Sequence, residues 1–141
     1  MSSGENSPSG KGGVTEIHLW LRGKLGKWRR DSVKSCDNKC VITGEEFNHI
    51  HHLYSFNLIL QDVFNKTGIA VKSSISEYTQ EELDVLADTC IKEHMEHPLG
   101  ICLKEEMHLL FHENYGYGDN TPRQFEEFKQ SCINAKKSLN I

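Results

Sequence analysis

The sequence predicts an α+β domain, mostly helical, with a small pair of strands set beside a cluster of histidines. Three observations carry that expectation. Two helix-start signatures, Thr79-Gln80-Glu81-Glu82 and Thr121-Pro122-Arg123-Gln124, are each followed by apolar residues at helical spacing. The β-prone runs Cys40–Thr43, Phe47–His52 and Gly100–Leu103 are too short for a large sheet. A chain of 141 residues fits one domain with a modest core.

Taken in order, residues 1–13 (MSSGENSPSGKGG) are rich in Ser and Gly and carry almost no apolar side chain, as a flexible tail does. Residues 14–35 read as a basic arm. Arg22, Lys24, Lys27, Arg29, Arg30 and Lys34 are opposed only by Asp31. Gly23 and Gly26 argue against one long helix there, and Trp20 and Trp28 offer anchors that would pin the arm to the body. Cys40–Thr43, a turn at Gly44 and Phe47–His52 then suggest a hairpin-like unit. Ser55 is a fitting N-cap for a helix through about Asn65 that ends at Thr67-Gly68.

The box at Thr79 starts a helix with Leu83, Leu86, Ala87, Cys90 and Ile91 at helical spacing, stopped by His97-Pro98. Gly100–Leu103 is the second short strand, and Lys104–Asn114 a helix closed near Gly116. Thr121 with Pro122 at the first helical position opens a final helix expected to bury Phe125, Phe128, Cys132 and Ile133.

A net charge of −4 does not favour nucleic-acid binding by the body of the chain, whose acidic residues gather in Glu81-Glu82, Glu105-Glu106 and Glu126-Glu127. Such binding would fall to the basic segment. No apolar run approaches the ~20 residues of a bilayer span, and no signal-peptide stretch is visible, so a cytoplasmic chain without membrane partners is expected. Five cysteines, an odd count, then read as reduced thiols.

The chemistry lies in the histidines. His108-Leu-Leu-Phe-His112 sets two imidazoles one turn apart on one helix face, as two ligands of one ion require. In His49-Ile50-His51-His52, adjacent strand residues point to opposite sides, so His51 and His52 have different tasks. One completes a metal site and its neighbour serves as general base on a water, a role suited to an imidazole with an ordinary pKa near ~6.5. An imidazole set favours Zn2+, Ni2+ or Mn2+, with Mg2+ admitted as the hard alternative.

This order of elements resembles the HNH endonucleases, the ββα-metal or His-Me finger nucleases, and is similar to their small phage-type and homing members. The pieces that carry the resemblance are Cys40–Gly44, His51–Asn57, His108–His112, Tyr115-Gly116 and Asn120–Phe128. It implies an HNH nuclease domain over residues 36–141, a ββα-metal core with a helical insertion between its two strands, and metal-dependent hydrolysis of DNA. By position it gives His52 the general-base role, and gives His51, His108 and His112 the single divalent ion. His97 stands nearest the place of the family's middle asparagine, which buttresses the base. The resemblance further implies DNA as partner, nicking by a monomer, a homodimer or partner protein where long-site specificity is needed, and the host cytoplasm if the chain is phage-encoded.

Two departures stand out. No asparagine lies between Asn65 and Asn114, and the four-cysteine zinc pattern of many family members is broken by Thr43 and by a single cysteine in residues 102–107. Apolar packing is therefore expected in place of a structural zinc. The alternative function is a non-catalytic zinc-binding, nucleic-acid-binding module using Cys36, Cys40, His108 and His112. His49 reads as a surface residue or phosphate contact, His18 and His94 carry no function, and Cys90 is a small core hydrophobe.

Overall fold

The computed structural model describes residues 15–139; the expected N-terminal tail, residues 1–13, lies outside them. The elements are α1 (Glu16–Arg22), α2 (Gly26–Ser35), β1 (His49–His51), α3 (Phe56–Thr67), a 3-10 turn (Ile75–Glu77), α4 (Gln80–Glu96), β2 (Ile101–Leu103), α5 (Glu105–Tyr115) and α6 (Pro122–Leu139). The architecture is α+β and mostly helical, with a single antiparallel strand pair among the described residues.

Local chemistry accounts for most helix boundaries. Ser55 Oγ accepts from Leu58 N at 3.1 Å to open α3, and Gly68, at φ +70°, closes it in the left-handed conformation that a side chain resists. Both bonds of the capping box at Thr79 are present: Glu82 N donates to Thr79 Oγ1 at 3.0 Å, and Thr79 N donates to Glu82 Oε1 at 2.9 Å. Thr121 and Gln124 exchange the equivalent pair at the start of α6. That helix buries Phe125 and Phe128 and half-buries Cys132, but Ile133 is exposed, contrary to expectation.

The strand pairing differs from the expected hairpin. β1 pairs with β2, His49 opposite Leu103 and His51 opposite Ile101, with helices α3 and α4 inserted between the two strands. Cys40–Thr43 is a turn instead. It satisfies its own backbone, Gly44 N donating to Cys40 O and Cys40 N to Glu45 O, each at 2.8 Å. A loop closed on itself has no row of groups left to offer a strand. Only Val41 N reaches the sheet, donating to Cys102 O at 3.0 Å.

Two apolar clusters flank the strands. The first joins α1, α2, α3 and α4 through Ile17, Leu21, Trp28, Ile59, Val63 and Leu86, and the second packs Cys40, Leu103, Phe111, Phe125 and Phe128 beneath α5 and α6. Residues 16–35 are thus not a separate arm. Ile17, Leu21, Leu25 and Trp28 recur at three- and four-residue steps, and burying that stripe makes α1 and α2 part of the core. Among the described residues no helix is long and apolar enough to cross a membrane.

Candidate metal centre

Strand alternation sets His49 and His51 on one face of β1, while Ile50 packs into the first cluster on the other. Helix α5 begins directly after β2, with Lys104 as N-cap, so its His108/His112 face lies against β1. His51 Nδ1 is 3.3 Å from His108 Nε2, and His112 Nε2 is 3.0 Å from the same atom. These three residues form one of two groups among the described residues whose ligand atoms converge closely enough to hold an ion.

The proton positions suit that use. His112 Nδ1 lies 2.8 Å from Gly116 O, which can only accept, so Nδ1 carries the hydrogen and Nε2 the lone pair. His108 Nδ1 lies 3.0 Å from His49 Nδ1, and with the proton of that contact on His108 its Nε2 is likewise left as a lone pair. His51 packs its ring on Phe111 and Phe125, centroids 4.6 and 5.8 Å away, and its buried Nε2 has no hydrogen-bond partner among the described residues. The polar engagement of His51 is therefore at Nδ1, facing the other two rings.

Burial, then repulsion from His108 and His112, pushes His51 down to about 3. Burial, then His112 and His49, pushes His108 down to about 4, and burial lowers His112 against the pull of the Gly116 carbonyl. Neutral imidazoles are the form that binds metals. Two nitrogens held about 2.0–2.1 Å from one ion at tetrahedral or octahedral angles are themselves about 2.9–3.4 Å apart. The observed spacings of 3.0 and 3.3 Å fit that requirement.

His52 occupies the opposite face. Its ring stacks on Trp28, centroids 4.2 Å apart at 20°, with Phe56 beyond, and its Nε2 is 3.2 Å from His94 Nε2. His94 is 1% exposed and sets its Nδ1 2.8 Å from Cys90 O. Burial, followed by His94, holds His52 well below its ordinary value.

The imidazole touching His52 is thus His94 rather than His97, the residue expected to buttress it. His94 continues the buried face of α4 one turn beyond Cys90, whereas His97 is the extended C-cap residue and stacks on Tyr54, centroids 4.1 Å apart. His97 belongs to the second convergent group, with Asp62 and Glu93, where Lys66 Nζ already pairs with Glu93 at 2.6 Å.

The six basic residues divide. Arg29, Arg30 and Lys34 line a cleft of about 570 Å³ with Phe47 and Ile50, beside the histidine-bearing strand. Arg22 lies over the Phe56 ring on the His52 side, Lys24 over Trp20, and Lys27 is paired with Asp31.

Cys36 and Cys40 are in neither convergent group. Cys36 Sγ accepts from Cys102 N at 3.3 Å, and Cys40 sits in the second apolar cluster. Two residues of the site escaped the sequence reading. His49 carried a signal, since it lies two residues from His51 and shares its strand face; His94 carried one too, four residues from Cys90 on the apolar stripe of α4. Comparison of the chain with protein-family models, with curated proteins and with solved structures returned no match.

Proposed function

We propose that the protein is a metal-dependent DNA endonuclease of the HNH type, with β1, β2 and α5 as its ββα-metal core. The observation that carries this reading is the convergence of His51, His108 and His112 with a different histidine, His52, next in the chain on the other strand face. The three converging residues would hold one divalent ion, Zn2+, Ni2+, Mn2+ or Mg2+, which supplies charge stabilisation at the phosphate and leaving oxygens when bound. His52 takes the proton of the attacking water. Its stacking on Trp28, with the tilted Phe56 ring 5.5 Å away, restricts the ring, so the base needs little reorganisation to act.

Arg22, Lys24, Lys27, Arg29, Arg30 and Lys34 grip the DNA backbone, with Arg29, Arg30 and Lys34 lining the cleft beside Ile50. Phosphate contacts carry no sequence information, which accords with nicking of limited specificity by a monomer, and a homodimer or partner protein where longer sites are read.

The test is cleavage of supercoiled plasmid across a series of divalent metals. Wild type is expected to produce nicked circles. His52→Ala is expected to lose nicking while retaining bound metal, measured by equilibrium dialysis. Wild-type protein inactive with every metal overturns the nuclease reading, and undiminished nicking by His52→Ala overturns the assignment of the base.

A further inference from the structure

The contact between His52 and His94 has a definite direction. The Cys90 carbonyl can only accept, so the 2.8 Å contact from His94 Nδ1 requires a proton on that nitrogen. Burial holds His94 below its ordinary value, so at neutral pH its ring carries that one N–H. His94 Nε2 is then a bare lone pair. The 3.2 Å approach of His52 Nε2 is a hydrogen bond only if the proton sits on His52. The stacking on Trp28 and the near-complete burial of His94 leave little room for either ring to turn over.

We propose that His94 is a positioning residue that holds His52 as its Nε2–H tautomer and so makes Nδ1 of His52 the atom that accepts the proton. The catalytic half of this inference rests on the nuclease reading; the tautomer itself does not. In the reaction the water oxygen bonds to phosphorus as its proton passes to His52 Nδ1, and the phosphorus–leaving-oxygen bond breaks, the leaving oxygen taking a proton from solvent. The imidazolium formed on His52 then donates through Nε2 to His94, a charge-assisted bond stronger than the one before it. The chain Cys90 carbonyl, His94, His52 therefore both selects the reactive nitrogen and stabilises its protonated product. Placed in α4, it stands where the sequence offers no asparagine.

Two readouts test this. Long-range 1H–15N spectra of 15N-histidine-labelled protein near pH 7.5 are expected to show His52 protonated at Nε2 and bare at Nδ1. His94→Phe keeps an apolar ring in the buried slot but cannot accept, and is expected to lose that tautomer preference. Its nicking should fall about 10- to 100-fold, with metal stoichiometry unchanged. His94→Gln, whose side-chain oxygen accepts from His52 Nε2–H, is expected to recover most of the loss. Wild-type His52 protonated at Nδ1, or His94→Phe with unchanged tautomer and unchanged nicking, overturns the proposal. The expected tautomer in a protein that is inactive with every metal of the series supports the His94 assignment while overturning the nuclease reading, which separates the two failures.

Discussion

In the cluster of His51, His108 and His112, which could hold an ion, the rings of His112 and His108 are each held by a contact on their far side. Gly116 O serves His112 and His49 serves His108, while Tyr117 stacks on His112, centroids 4.3 Å apart at 12°. Such outer contacts fix ring orientation and raise the basicity of the ligating nitrogen. Removing a ligand should therefore cost more than removing the residue behind it. His108→Ala and His112→Ala are expected to abolish stoichiometric Zn2+ or Co2+ binding in a chelator-competition titration. His49→Ala should keep one ion but weaken it about 10- to 100-fold. Unchanged affinity in His112→Ala would remove it from the site. His49 reads as a surface residue in the sequence because its partner is a ring in α5, fifty-nine residues away in the chain.

Among the elements, the approach of α2 to the loop before β2 sets the indole on which His52 stacks. Gly100 N donates to Ser32 Oγ at 2.8 Å, and a Cβ on Gly100 would lie 2.6 Å from both Trp28 Cη2 and Ile50 Cγ2. No side chain fits between the indole and the strand. Gly100→Ala must displace both Trp28 and Ile50, at a cost of about 1–3 kcal/mol for overpacking, and the shift of Trp28 moves the ring on which His52 stacks. Urea denaturation should show the lower stability, and near-UV circular dichroism the altered tryptophan. An unchanged midpoint together with an unchanged spectrum would mean that the contact yields freely. Helix ends such as Ser55, Thr79 and Thr121 were legible because a cap is a matter of a few adjacent residues. The choice between Cys40–Thr43 and Gly100–Leu103 as the partner of β1 was not, because β-propensity says where a strand can form and not which segment meets it.

Across the whole molecule, buried histidines tie stability to pH. His51 and His108 are pushed down to about 3 and about 4, and His52, His94, His112 and His18 are also lowered, each chiefly by burial. Above pH 6.5 these rings are neutral in both the folded and the unfolded chain and contribute no pH dependence. Below it the unfolded chain binds protons that the folded one resists, so stability falls as pH falls, through the window from about 6.5 down to about 3. Metal-free protein is expected to lose urea stability steeply between pH 7 and pH 5, with a slope corresponding to more than one proton. A flat profile over that range would contradict the buried, neutral state of these rings. Added Zn2+ should shift the loss to lower pH, since the ion and the proton compete for the same lone pairs.

Local sequence settled the α+β class, helices α3 to α6 with the caps at Ser55, Thr79 and Thr121, the shared face of His108 and His112, and the separation of His51 from His52. All of these follow from periodicity and from contacts between near neighbours. The tertiary structure settled that Cys40–Thr43 is a turn and no strand of a hairpin, that α1 and α2 bury a whole apolar stripe in the core, and that His94 rather than His97 meets His52. The last two outcomes join residues far apart in the chain. They depend on which apolar faces bury one another when the two clusters close, and no local pattern encodes that choice.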